Sequence, residues 1–326
     1  MNAIELTPEH PVAQLSDLAV EAEKQDFDAV FVSHHYNNRD QFMALAEMAT
    51  RTEEVLLGPG IANPYETHPV TLASRAGTLS EMSDGRAVFG VGPGDRSTIR
   101  NLGFDHENAL RRVLETMKVA ERLWDGERVD HDGTFEAVDA GLNYEVGDEI
   151  PTYVGAQGPH MTRMAAKHAD GALYNGAHPK DLAWAREQAE EMADERVPDT
   201  DFDLAAYASV SVAEDEDAAR EAARPPVAFV AAGSPPPVLD RHGIDRDVAA
   251  DVGDAISAGE FERAFGLVTE PMLSAFCITG TPEDVAERVE ALREHADSVV
   301  FASPLGPDIE DAISLLGAAT DRSPDA

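Results

Sequence analysis

Short apolar runs alternate with helix-patterned stretches along this chain, and each run opens into a turn rich in Gly, His, Asn or Glu. Residues 3–6, 29–32, 55–57, 87–91, 152–154, 172–174, 204–212 and 299–302 read as strands. Between them, 12–25 carries Val12, Leu15, Leu18, Ala19 and Ala22 at helical spacing, and 42–49, 70–82, 108–124, 161–168 and 182–195 read as helices. Eight strand–helix alternations with short links favour a closed parallel barrel, a (β/α)8 fold of the α/β class, over an open sheet. Two segments break the rhythm. A polar excursion rich in Asp and Gly runs from the end of the fourth unit to about Ile150, and residues 214–279, with their proline pairs and glycine turns, read as a helical insertion between strand seven and its helix.

Composition narrows the class. At 326 residues the chain suits one barrel domain, residues 1–326, and 43% hydrophobic residues suffice for a large core. No run of eighteen apolar residues exists and the first residues show neither a basic nor an apolar leader segment, so a cytoplasmic protein is expected. The single Cys277 excludes an internal disulfide and reads as a buried, reduced thiol. The chain has 62 acidic against 25 basic residues, a formal charge of −37, with lysine only at Lys24, Lys118, Lys167 and Lys180. Such a surface repels nucleic acid and anionic membrane, and the acids are interleaved with apolar positions, which argues for adaptation to high salt rather than for disorder.

In a barrel the working residues sit on the loops that follow the strands. The fourth strand ends in Gly90, Gly92 and Gly94 followed by Asp95, where backbone can approach a flat ring or a phosphate with no Cβ in the way. Gly90-x-Gly92-x-x-Asp95 lacks the third glycine of a Rossmann dinucleotide site, and no P-loop motif is present. His34 and His35 are adjacent and point to opposite faces of an extended chain, so no metal set forms around them; each is either a hydrogen-bonded loop residue or a ligand contact. His178 is open between a ligand contact and a residue that starts a helix before Pro179. Glu5, on a short apolar strand, is a candidate general acid because desolvation favours the neutral form of a carboxyl group; the alternative is a carboxylate that caps the strand or pairs with an arginine. Tyr207 on the seventh strand reads as a half-buried barrel residue.

Nearly the whole chain resembles the archaeal methylenetetrahydromethanopterin reductases of the luciferase-like superfamily. The matching stretches include IEL with Glu5, HYNNRD, GPGIANPY, GRAVFGVGPGD, VGAQGP, NGAHPKD, RHGI and GLVTEPMLSAFCITGTPED. The resemblance implies hydride transfer from reduced coenzyme F420, an 8-hydroxy-5-deazaflavin, to the methylene carbon of a tetrahydropterin, giving the methyl-tetrahydropterin. It further implies a non-proline cis peptide at Gly60–Ile61 behind the ring. Ring and tail contacts would fall on His35, Gly60, Ile61, Asn63, Gly92, Gly155, Ala156, Gln157, Gly158 and Asn175, with Glu5 as proton donor. A homo-oligomer, dimer or tetramer, is implied as well.

Two positions depart from the family pattern: His34 stands where relatives place an acid, and Ala177 where a serine is usual. The acidity points to a halophilic archaeon, which leaves tetrahydrofolate beside tetrahydromethanopterin as the carrier. The alternatives within the superfamily are an FMN-dependent monooxygenase or another coenzyme F420-dependent oxidoreductase. Screening lengths fall to about 3 Å at 1 M salt, so activity should rise as potassium or sodium chloride is raised into the molar range. A salt-independent rate would overturn the reading of the surface charge.

Overall fold

The computed structural model describes residues 1–320, with the backbone alone at 96 and 97. The chain runs β1 (Asn2–Leu6), α1 (Val12–Lys24), β2 (Ala29–Val32), α2 (Gln41–Ala49), β3 (Leu56–Pro59), α3 (Pro69–Met82), β4 (Phe89–Val91), α4 (Arg96–Asn101) and α5 (Ala109–Trp124). There follow β5 (Val129–Asp132), β6 (Glu136–Ala140), β7 (Thr152–Ala156), α6 (Pro159–His168), β8 (Gly171–Asn175), α7 (Pro179–Glu190) and β9 (Asp203–Val212). The last part is α8 (Glu216–Gly233), α9 (Pro236–Arg241), α10 (Arg246–Ser257), α11 (Phe261–Gly266), α12 (Glu270–Phe276), β10 (Ile278–Gly280), α13 (Pro282–Arg293), β11 (Ser298–Leu305) and α14 (Ile309–Thr320). All eight strands expected from the apolar runs are present, as β1, β2, β3, β4, β7, β8, β9 and β11. No helix among the described residues is long and apolar enough to cross a membrane.

The chain divides into two compact units, the first comprising Ala3–Asn175 and Ala185–Ala205, the second Gly176–Trp184 and the described residues from Ala206 to Thr320. In the first unit β1 pairs in parallel with β2, from Ala3↔Ala29 to Leu6↔Val32, and β2 pairs with β3, from Ala29↔Leu56 to Val32↔Pro59. β4 pairs in parallel with β7, and β7 with β8. Bridges at Leu57↔Ala87 and Ala62↔Val91 join β3 and its loop to the β4 segment. β1, β2 and β4 are buried at every residue, the signature of parallel strands covered on both faces. Backbone approach is close: a Cβ on Gly90 would lie 2.0 Å from the Pro59 carbonyl oxygen, so only glycine fits there. The helices bury one stripe each, Leu15, Leu18, Ala19 and Ala22 on α1, and Val113, Met117, Ala120 and Leu123 on α5. The Trp124 indole N–H donates to the Ala73 carbonyl at 2.9 Å, and its ring meets Phe89 edge-on, tying α5 to α3 and β4.

In the second unit β9 pairs with β10 in parallel, from Ile278↔Val210 to Gly280↔Val212. Residues 216–276 hold five helices that share an alanine-rich core with Val227, Val252, Met272, Leu273 and Cys277. Pro225 and Pro226 lie inside α8 rather than ending it. Cys277 is 1% exposed and unbridged, and burial pushes its thiol far up.

The structure adds two features that the pattern did not announce. The polar excursion after α5 contains an antiparallel hairpin of β5 and β6, from Val129↔Ala140 to Asp132↔Glu136. Its strands are short and mostly solvated, so apolar alternation is too weak to mark them. β10 has three residues at the end of an apolar stretch that began in α12, and no turn residue separates the two.

Glu115 on α5 pins the hairpin. It accepts from the Thr134 N–H and hydroxyl, each at 2.7 Å, from Arg111 at 2.5 Å, and from His131 at 3.2 Å. Burial alone pushes this carboxyl up, but the two Thr134 bonds, then Arg111 and His131, outweigh it and bring it from 4.5 down to about 2. A carboxyl depressed in the folded state stabilises fully above its unfolded value and loses that contribution as pH falls toward its folded value. Glu115→Gln should therefore lower the urea midpoint at neutral pH and show a shallower loss of stability than the parent between pH 4.5 and about 2. Parallel acid limbs in the two proteins would refute the pinning role.

Candidate active site

Six parallel strands in the first unit point their carboxyl ends the same way, and every expected site residue lies on or just beyond one of those ends. Glu5 is the penultimate residue of β1, His35 follows β2, and Gly60, Ile61 and Asn63 follow β3. Gly92 follows β4, Gly155 and Ala156 end β7 with Gln157 and Gly158 next, and Asn175 ends β8.

The turn after β3 is the best defined. Gly60–Ile61 is a cis peptide bond. The Gly60 N–H donates to the Val32 carbonyl at 2.8 Å, the Ala62 N–H to the Gly90 carbonyl at 2.8 Å, and the Gly92 N–H to the Ala62 carbonyl at 3.1 Å. Those bonds seat the Ile61 side chain against two glycines. A Cβ on Gly92 would fall 2.9 Å from Ile61 Cγ1, and one on Gly155 would fall 3.1 Å from Ile61 Cγ2. Ile61, Gly92 and Gly155 thus form one smooth wall in which any larger side chain displaces the isoleucine.

Asn63 is 3% exposed. Its Oδ1 accepts from the Tyr65 N–H at 2.8 Å, and its Nδ2 has no hydrogen-bond partner among the described residues. A buried amide donor left unpaired costs about 1–3 kcal/mol, which a ligand acceptor would recover. Arg112 of α5 holds this turn from behind: it donates to the Pro64 carbonyl at 2.9 Å and to the Thr134 carbonyl of the hairpin, and lies 4.8 Å over the Tyr65 ring. The Tyr65 hydroxyl donates to the Glu107 carbonyl at 2.6 Å, and its ring stacks on His106. Neither Tyr65 nor Arg112 was singled out from the sequence; each lies in an ordinary loop or helix pattern, and only the contacts reveal the connection.

Glu5 is 2% exposed and accepts a hydrogen bond from the Thr7 hydroxyl at 2.8 Å. His34 pairs with Glu66 at 2.6 Å, so it is a hydrogen-bonded loop histidine, while His35 is exposed with its carbonyl accepting from the Asn38 N–H. Ala156 is buried, whereas Gln157 and Asn175 are exposed. Gly158 caps the N-terminus of α6 with no side-chain acceptor, and Pro159 follows, which leaves first-turn N–H groups open to an anion. The direct contacts join Ile61 with Gly92 and Gly155; Glu5, His35, Gln157, Gly158 and Asn175 stand on neighbouring strand ends.

In the second unit, His178 opens α7, its Nδ1 accepting from the Lys180 N–H at 3.1 Å, so it is a helix-start residue. Burial, then Arg288 and His242, push it down to about 4, and it is neutral at neutral pH. Asp181 holds Arg241 at 2.5 Å and His242 at 2.8 Å, a link between NGAHPKD and RHGI that no local pattern announces. Ala177 is buried with its carbonyl turned to Arg288. Tyr207 is half-buried on β9 and its carbonyl accepts from the Gly176 N–H.

Residues 2–298 match the luciferase-like monooxygenase family. The chain is 40% identical to the 5,10-methylenetetrahydromethanopterin reductase of Archaeoglobus fulgidus over 96% of each chain. It is 40% identical to the protein of the same name from Methanolobus tindarius, over 96% of this chain and 97% of that one. The solved structure of the coenzyme F420 dependent tetrahydromethanopterin reductase from Methanopyrus kandleri shares its fold with a TM-score of 0.90 at 36% identity, covering 97% of this chain and 96% of that one. The fold class is the luciferase-like (β/α)8 barrel expected from the alternation of strands and helices.

Adding a methyl group at Gly92 tests the wall. Overpacking costs about 1–3 kcal/mol, so Gly92→Ala should weaken binding of the deazaflavin that the resemblance implies about tenfold. Fluorescence titration reads this directly, and parent-like affinity would show that the wall is not a ring surface.

Proposed function

The chain belongs to the luciferase-like monooxygenase family and, within it, to the methylenetetrahydromethanopterin reductases; on that footing we propose that it transfers a hydride from reduced coenzyme F420 to the methylene carbon of 5,10-methylenetetrahydromethanopterin. The product is the 5-methyl-tetrahydropterin. Within this proposal the protein works in the cytoplasm, on a small-molecule pterin, as a dimer or tetramer, and mass in solution checks the last point.

Residues on the strand ends fit the cofactor. The Ile61–Gly92–Gly155 wall offers a flat ring a surface with no intruding side chain, and the unspent Asn63 Nδ2 offers a ring acceptor a hydrogen bond. Gln157 and Gly158 lead into the open N-terminus of α6, where main-chain N–H groups suit a phosphate without adding a cation to an acidic protein. His35, Gly60, Ala156 and Asn175 complete the set. Bound reduced coenzyme F420 supplies the hydride.

Glu5 carries the reading. Opening the five-membered methylene bridge leaves one pterin nitrogen in need of a proton, and in this reading Glu5, a buried carboxyl near the carboxyl end of β1, gives it. Holding donor, acceptor and acid in line supplies much of the rate, since intramolecular alignment replaces an encounter. Curated relatives over the full length are named for tetrahydromethanopterin, which favours that carrier over tetrahydrofolate.

Purified protein in high salt, given reduced deazaflavin with each pterin in turn, tests the activity and the carrier together; binding of FMN with oxygen consumption instead would overturn the proposal. Glu5→Gln should leave cofactor affinity nearly unchanged and cut turnover by about 10²-fold or more. Full turnover in that variant would remove Glu5 from the reaction.

A further inference from the structure

An acid that gives up one proton per turnover must be recharged, and Glu5, 2% exposed, is shielded from bulk water. Strand geometry supplies a route. Side chains alternate along extended chain, so Glu5 and Thr7 share a face. Parallel pairing of Glu5 with Phe31 and of Leu6 with Val32 carries the alignment on to Thr7 and Ser33, the first residues beyond β1 and β2. The Thr7 hydroxyl donates to Glu5 Oε1 at 2.8 Å, and the Ser33 hydroxyl donates to Thr7 Oγ1 at 3.4 Å. Glu5 is buried, whereas Thr7 and Ser33 are both partly exposed, so the row runs from interior to surface.

The main chain around the row is tied down. The Glu9 N–H donates to the Thr7 carbonyl at 2.7 Å, and the Arg39 N–H to the Pro8 carbonyl at 3.2 Å. The Arg39 guanidinium reaches the Glu9 carbonyl at 2.6 Å, and His34, next to Ser33, is held by Glu66.

We propose that Thr7 and Ser33 form a hydroxyl relay that returns a proton from solvent to Glu5 after each turnover. The proposal rests on Glu5 being the acid of the reaction. In the recharging step the Glu5 carboxylate takes the Thr7 O–H proton on Oε1, Thr7 takes the proton of Ser33, and Ser33 takes one from hydronium at the surface, which leaves as water. One proton enters and no electrons move. Both hydroxyls already donate inward, the orientation this direction requires. The outer link exceeds the ordinary O–H···O range of about 2.5–3.0 Å, so Ser33 must rotate inward and its step is the slow one.

A pH jump followed by infrared spectroscopy on the cofactor-free protein tests the relay without any reaction. The Glu5 carboxyl band is the one that Glu5→Gln removes. Thr7→Val, which keeps shape and loses the hydroxyl, should slow protonation of that band roughly tenfold or more, and Thr7→Ser should restore most of the rate. In turnover, Thr7→Val should slow the steady state while sparing the first turnover. An unchanged protonation rate in Thr7→Val overturns the relay. If that variant does not fold, Ser33→Ala at the rim carries the test, with a slowed band expected and an unchanged one fatal. Parent-like turnover in Glu5→Gln would sink the reading of Glu5 instead, with the infrared result still judging the relay.

Discussion

Parallel, in-step pairing of buried strands is the constraint on which everything else depends. Once β1, β2 and β3 are locked in register, with Glu5 beside Phe31 and Phe31 beside Gly58, the position of each following loop is set to within a residue. A slip of one residue would turn Glu5 from one face of β1 to the other and part Thr7 from Ser33. The register is protected because β1 and β2 are buried at every residue and mostly apolar, and because glycines at the β3–β4 contact allow a backbone approach that no other residue permits.

Much of this was legible in the chain. The strands announced themselves because parallel strands buried on both sides read as unbroken apolar runs, and the polar residues at their ends were legible as loops for the same reason. Glu5 stood out as a lone acid in such a run. The cis bond at Gly60–Ile61 came from family resemblance rather than from any propensity. What stayed hidden was pairing between residues far apart in the chain: His34 with Glu66, Asp181 with Arg241 and His242, Arg112 with Pro64 and Thr134. None of these has a periodic signature, since each depends on where the chain returns in space. The hairpin of β5 and β6 was missed because it buries too little to impose alternation.

The scarce cations have structural duties. Arg86 donates to the carbonyls of Ser83, Val55 and Thr52, and Arg196 to those of Ala166, Ala169 and Thr200. Burial pushes both guanidiniums, and that of Arg112, down from their usual value. Arginine suits this work because its planar fork satisfies several carbonyls at once. In these three residues the positive charge is spent on holding loops and helix ends, while other arginines, such as Arg128 and Arg246, pair with acids on the surface.

Cys277 has a practical consequence. A sulfur so deeply enclosed holds its proton and is a poor nucleophile, so the native thiol should stay silent toward maleimides and haloacetamides. A cysteine engineered anywhere on the exterior would be the sole handle for a fluorophore or spin label, with no need to strip the parent thiol first.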